Sequence, residues 1–412
     1  MIRQRTEEIK GMNTFALRER DFFLSKVYRA IIIMLFKRRE KSMSAKKYLA
    51  FLLPVIAAAC VLLLLIKTDN VYAGVVHSAE YYESNPDEAS SMSSSDTGNI
   101  MEELESTGSV TLVSGEDYYL GKITLEKGWK INAQKANIYA SGRLFECNNS
   151  VSGYKKLDAK VSGGIWRYSG SGGHSLTAIQ LSHVDGITFE DMDIKYCNYE
   201  GHTFEFIACR NVTVKNCKIR CYGKPSSTSV EEQIQLDIDA PATAPTTGVH
   251  NGKCCENVTI TGCDIVGARA VCANYAASDR GEYLNKFHKN ITVKNCKLTS
   301  KTSEALALFN VKGITVKGNT IINNAPVKRN SYSDGMAVTY FGSGASGGEF
   351  IIKKNTIKGG RYALLVYSHS SSKFGNVTIA SNNLYCKNGA SNALKTASVS
   401  KLKTSGNKTY SW

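Results

Sequence analysis

The chain has 412 residues, 42% of them hydrophobic and 21% charged, enough apolar side chain for a sizeable core and too much for a disordered polymer. Six prolines against 34 glycines exclude collagen-like and proline-rich classes, and a formal charge of +15 points to an anionic partner. That charge is unevenly spread: residues 1–73 carry 14 basic and 6 acidic side chains, residues 74–117 none and 10, and residues 118–412 therefore 37 and 20.

Residues 1–42 form a basic extension that fits no signal peptide, and Met43 reads as an alternative start. An unbroken apolar run over 49–66 follows Lys46 and Lys47, and Val71-Tyr72-Ala73 supplies a cleavage site. Residues 43–73 are therefore a signal peptide or, since 18 apolar residues reach the lower limit for crossing a bilayer, a signal anchor. Cys60 lies inside this run. Both readings place the following domain outside the cell or on its surface, with the membrane touched only through 49–66. Residues 74–109 are acidic and serine-rich, a solvated linker with room for a short helix over 100–105.

Beyond the linker the sequence repeats. ITFEDMDI (187–194), VTVKNCKI (212–219), VTITGCDI (258–265), ITVKNCKL (291–298), ITVKGNTI (314–321), FIIKKNTI (350–357) and VTIASNNL (377–384) are versions of one octapeptide. Their starts are separated by 25, 46, 33, 23, 36 and 27 residues. Alternating β-branched residues at positions one and three, then a Cys or Asn, then an apolar residue two further on read as strand, turn, strand. A further alternating segment precedes each of them (AIQLS, TFEFIA, QIQLDID, AVCANYA, ALALFN, MAVTYF, ALLVYS) and is also a strand. Units of two or three short strands with a minimum length of about 23 residues match one coil of a right-handed parallel β-helix over 110–412, an all-β solenoid whose coils stack about 4.8 Å apart. One column of the octapeptide reads Met192, Cys217, Cys263, Cys296, Asn319, Asn355 and Asn383, as expected of an interior ladder. Twelve cysteines without CxxC or Cys/His spacing fit buried thiols in such ladders better than zinc or a disulfide framework.

These repeats, with DYYLGKITLEKGWKINAQKANIYASG (117–142) as an opening coil and GGIWRYSG (163–170) as a glycine-rich approach to the next coils, resemble the pectin lyase-like right-handed β-helices. The central HTFEFIACRNVTVKNC and EEQIQLDID resemble exported Gram-positive β-helix proteins of unassigned reaction. The resemblance implies the fold and a substrate groove on the sheet of leading strands. It does not transfer catalytic residues: only Gly201-His202-Thr203 is similar to the GHG of polygalacturonases, and the RxPxxR and WIDH patterns of pectate lyases are missing.

Candidate chemistry must therefore come from which face each residue occupies. Alternation turns Ile179 and Leu181, Phe204 and Phe206, Ile234 and Leu236, Leu306 and Leu308, and Met336 and Val338 inward. Glu205, Gln235, Asp237, Asp239, Asn274 and Phe309 then face outward, beneath long loops at 220–231, 240–256 and 276–289. At the turn before each leading strand, His202, Glu232, Arg269, Glu304 and Asp334 form a charged column, either a solvated ridge of pairing charges or the wall of a groove. Glu205 and Asp237, with His202, are the candidate catalytic groups: one coil and two residues apart, their anchors are about 8 Å apart, nearer the inverting than the retaining spacing of glycosidase carboxylates. Gln235, Asp239, Glu232, Arg269, Asn274 and Phe309 are the candidate substrate-binding residues. A lyase would add a base and a cation, for which Arg269, His202 or Ca²⁺ on Asp237 and Asp239 qualifies; no other cofactor or metal is expected. The expectation is an exported protein acting on an acidic or cell-wall polysaccharide by hydrolysis or β-elimination. Its rival is a non-catalytic surface module that binds an anionic polymer; nucleic acid is disfavoured by the export signal.

Overall fold

The computed structural model describes residues 96–412 apart from 141, 148–152, 169–176, 197–200, 222–229, 246, 278–280, 282 and 326–332. The expected extension, the signal segment, most of the linker and most of the 220–231 loop lie outside the described residues. Those residues belong to the second of two compact units, His77–Trp412. Among them no helix is long and apolar enough to cross a membrane.

The octapeptides fold as their alternation dictates. Each supplies a middle strand, a one-residue corner and a trailing strand, and the preceding segment supplies a leading strand. Successive coils stack these into three parallel sheets: a leading sheet of 10 strands (Ile123–Thr124 to Leu394–Thr396), a middle sheet of 11 (Ser109–Thr111 to Val399–Ser405) and a trailing sheet of 11 (Asp117–Tyr119 to Lys408–Ser411). This is a right-handed parallel β-helix, and it runs for several coils beyond the seven octapeptides.

The corner explains the fifth position of the octapeptide. Asp191, Asn216, Gly262, Asn295, Gly318, Lys354 and Ser381 all adopt a left-handed conformation, with φ between 53° and 72°. Asp, Asn and Gly tolerate that region best, so they recur there.

The next residue turns inward and closes the ladder. Cys217, Cys263 and Cys296 each direct a thiol to a carbonyl of the preceding coil, those of Phe189, Val214 and Ile260. Asn319 and Asn355 make the same contact with Nδ2, to Val293 and Val316 at 2.9 and 3.0 Å. The register corrects one expectation: the ladder continues through Asn382 and Asn407, not Asn383, whose side chain begins the trailing strand opposite Lys408. Cys217, Cys263 and Cys296 are buried free thiols, as are Cys209, Cys254, Cys255, Cys272 and Cys386. Burial pushes the Cys254 thiol up to about 12, so it stays protonated.

The inward residues expected from the leading strands all lie in one continuous core. Its first end is closed by helix α1 (Thr97–Thr107), which buries Ile100 and Leu104 there and stops at Gly108, whose positive φ lets its N–H reach the Leu104 carbonyl at 2.8 Å. The folded unit thus takes in residues that composition assigns to the linker, because two apolar residues four apart suffice to cap an open coil.

Candidate functional site

The outward positions of the leading sheet are occupied as alternation requires, and the register sets Glu205 against Gln180 and Gln235, with Ile207 opposite Asp237. Glu205 and Asp237 are therefore one coil and two residues apart. The face they occupy differs from the open groove expected: it is covered. Ala244 packs on Ile207 and Ala208, while Ile238, Ala240, Cys254 and Ala276 pack with Tyr283 into a second layer. Glu205 retains 8% of its exposure, Gln235 7% and Asp237 none.

Within this enclosure the polar groups are nearly all matched. Glu205 Oε2 accepts from Gln180 Nε2 at 2.7 Å and from Thr177 Oγ1 at 3.0 Å. Gln235 Nε2 donates to both Asp237 oxygens, at 2.8 and 2.7 Å, whereas Gln235 Oε1 is buried without a partner. Burial and the neighbouring Glu205 charge push the Asp237 carboxyl well above the usual range, against hydrogen bonds from Gln235 and Asn274. A carboxyl held toward its protonated form beside a second carboxyl is the raw material of acid–base chemistry.

The other candidates are drawn elsewhere. His202 is bonded not to Glu205 but to Glu232, its Nδ1 lying 3.0 Å from the carbonyl and 3.6 Å from Oε2. The charged column is no solvated ridge: Glu232, Arg269, Glu304 and Asp334 are buried. Arg269 bridges two coils, with Nη1 on Glu232 and Nη2 on Glu304, each at 2.6 Å, and Asp334 is forked by Arg361. Burial opposes the Arg269 charge, and Glu304 and Glu232 maintain it. Asp239 is fully buried, with Oδ1 held by Thr247 at 2.6 Å and Oδ2 by the Asn251 N–H at 2.9 Å and His183 Nε2 at 3.4 Å. Although burial would raise its pKa, those contacts hold it at about 2. Phe309, 9% exposed, is packed edge-on by Tyr275 and Phe341 beneath Arg269 and offers no open ring face to a sugar.

Among the described residues no group of three or more His, Cys, Asp and Glu side chains is placed to hold a metal ion. Asp237 and Asp239 do not fit calcium, since the first favours its protonated form and the second has both oxygens engaged.

Three residues that pattern reading passed over organise the covering loops. Asn310 Nδ2 donates to the Leu284 carbonyl, and its Oδ1 accepts from the N–H groups of Phe341 and Gly342. His288 accepts from the Cys255 N–H at 3.0 Å and meets the Asn274 carbonyl at 2.8 Å, which fixes its tautomer. His183, between Ser182 and Asp239, is the third. Asn310 and His183 directly follow leading strands at φ 47° and 53°, and a polar residue at that step was the available signal.

No family model and no curated protein matches the chain. Among solved structures it is similar to PfbA, a surface adhesin of Streptococcus pneumoniae, with a TM-score of 0.52 and 13% identity over 76% of this chain and 87% of that one. It is also similar to the A-module of the mannuronan C-5 epimerase AlgE6 of Azotobacter vinelandii, with a TM-score of 0.42 and 14% identity over 76% and 93%. Tailspike protein 3 of bacteriophage CBA120 follows with 0.35 and 14% over 69% of this chain and 45% of its own. At such identities the shared property is the fold.

Proposed function

We propose that this β-helix is a polysaccharide-binding protein of the cell surface or its surroundings, and that its ligand is acidic. One observation carries the reading: the fold hides acids and displays bases. Six carboxylates (Glu205, Glu232, Asp237, Asp239, Glu304 and Asp334) are buried, against two basic groups, Lys195 and Arg269, so the outer surface is more cationic than the already basic composition of residues 118–412. PfbA, described as a surface adhesin, offers a precedent for a binding role on this fold. The purified chain should be retained on immobilised polygalacturonate at low ionic strength and released near 1 M salt, where the screening length falls to about 3 Å. Retention that ignores salt, or none at all, overturns the reading.

A second reading, hydrolysis or β-elimination at Glu205 and Asp237, is favoured by the raised Asp237 pKa and the unpartnered Gln235 Oε1. It requires that Glu205→Gln and Asp237→Asn each lower turnover of a uronate polymer by about 10² to 10⁴ with the melting temperature kept. Turnover equal to that of the unaltered chain removes it.

A further inference from the structure

The acidic ligand proposed above needs a place to lie, and the leading sheet is covered. The middle sheet is not. Its outward columns run in register across coils: Asn211, Asn257 and Asn290, then Gly313; Thr213, Thr259, Thr292 and Thr315; Lys215, Thr261, Lys294, Lys317 and Lys353. Threonine follows from strand preference alone. The lysines do not. Like charges directly opposite one another on neighbouring strands are destabilising. The trailing sheet holds both cases: Asp193, Lys218, Asp264 and Lys297 alternate in sign, while Arg167, Lys195 and Arg220 stack in register. On the middle sheet Lys294, Lys317 and Lys353 stack without an intervening acid, and none of them makes an ion pair among the described residues. Lys289 and Lys312, also in register, stand on the other flank, the first paired with Glu256 and the second over the Phe287 ring.

On the Lys289 and Lys312 side is a cleft of about 380 Å³ lined by those two lysines with Asn290, Thr292, Gly313, Thr315 and Glu349; the column of Lys294, Lys317 and Lys353 runs beside it and does not line it. Its origin is a missing side chain. The asparagine column is a one-way relay in which Asn290 donates to Asn257, Asn257 to Asn211, and Asn211 to the Asp185 carboxylate. It ends at Gly313, where a Cβ would stand 3.1 Å from Asn290 Oδ1. That oxygen is left as an acceptor over an open floor.

We propose that this cleft and the lysine columns beside it bind a linear carboxylate-bearing polysaccharide running along the solenoid axis. Regularly spaced carboxylates meet Lys294, Lys317 and Lys353 at one coil rise each, and sugar hydroxyls meet the threonine hydroxyls, Asn290 Oδ1 and Glu349. A polysaccharide fits better than a nucleic acid because no aromatic side chain stands in the three columns to stack a base. The placement rests on the acidic-ligand reading and is tested separately from it.

The purified chain is titrated with fluorescently labelled oligogalacturonate, and three variants are compared. Replacing Lys294, Lys317 and Lys353 together by Gln should weaken binding about tenfold or more, whereas the equally charge-reducing replacement of Lys218, Lys297 and Lys408 on the trailing sheet should change it less than threefold. Gly313→Asn, which leaves the charge untouched and extends the asparagine column, should fill the cleft and weaken binding; since φ 83° strains a side chain and the Cβ meets Asn290 Oδ1 at 3.1 Å, binding is measured well below the variant's own melting temperature. Equal loss in both triple variants, or full affinity in Gly313→Asn, overturns the placement while leaving the acidic-ligand reading intact. Absence of oligogalacturonate binding by the unaltered chain overturns both, and tighter binding of oligothymidylate or inorganic polyphosphate overturns the choice of polymer.

Discussion

The interior ladder makes a sharp demand on Asn355. Its Nδ2 donates to the Val316 carbonyl at 3.0 Å and to Asn382 Oδ1 at 3.0 Å, and its Oδ1 accepts from the Asn319 N–H at 2.9 Å and from Asn319 Nδ2 at 3.0 Å. Leucine matches the volume and supplies none of these. Asn382 Oδ1 keeps the Asn355 backbone N–H, Asn319 Nδ2 keeps Val293, and the Val316 carbonyl keeps the strand ladder between Lys317 and Lys353, so one buried group is orphaned outright, the Asn319 N–H. At about 1–3 kcal/mol for the unmet N–H and about 1 kcal/mol for each other hydrogen bond lost, Asn355→Leu should cost about 4 kcal/mol. Asn355→Cys should cost about 2–3 kcal/mol, because a thiol at this step can reach the preceding carbonyl, as Cys296 reaches Ile260 at 3.6 Å, and that hydrogen bond is kept. Urea unfolding of the two variants beside the unaltered chain measures both costs. A leucine variant within 1 kcal/mol of the cysteine variant would refute the claim that this column is held by its hydrogen bonds and not by its volume.

Arg269→Ala should cost about 3–5 kcal/mol, since it leaves Glu232 and Glu304 buried without their shared cation, whereas neutralising all three together should recover much of that loss in the same unfolding assay. His288 is held down to about 4 by burial, so below pH 6.5 the unfolded chain takes up a proton that the folded chain refuses. Stability should therefore fall by about 3 kcal/mol between pH 6.5 and pH 4, and His288→Gln, which keeps one donor and one acceptor, should flatten that part of the curve. An unchanged slope in that variant would show that the acid sensitivity arises elsewhere.

The coil was legible because it is written many times. Seven octapeptides average out local ambiguity, and a side-chain period of two lets Phe204 and Phe206 declare the inside and Glu205 the outside. The ladder position of the last octapeptide was equally legible: Asn382, not Asn383, is the sixth residue of VTIASNNL, and the left-handed Ser381 before it agrees. The candidate site was legible in position and not in state. Alternation told which side of the strand Asp237 and Phe309 occupy, but their burial is decided by loops that pass over the sheet, and contacts such as Asn310 with Leu284 and Phe341 join segments with no shared pattern. Likewise, the signs in the column from His202 to Asp334 could be read from the sequence, while its desolvation required knowing what packs over Arg269.

In a solenoid the column, and not the residue, is the unit that carries a property. Three lysines separated by 23 and 36 residues of sequence look unrelated, yet the register places them one coil apart. The same geometry lets the molecule bury Asn319, Asn355 and Asn382, because each amide finds its partners in the coil above and the coil below and none is stranded. A column can therefore be polar inside without penalty and charged outside only at a penalty. The lysine column is the second kind: it repels itself at each step, a cost of the size usual for like charges on paired strands, about 0.2–1 kcal/mol a step. Unlike Arg220, which pairs with Asp264, the three lysines have no ion-pair partner among the described residues, and the repulsion disappears when a polymer of the opposite charge lies along them.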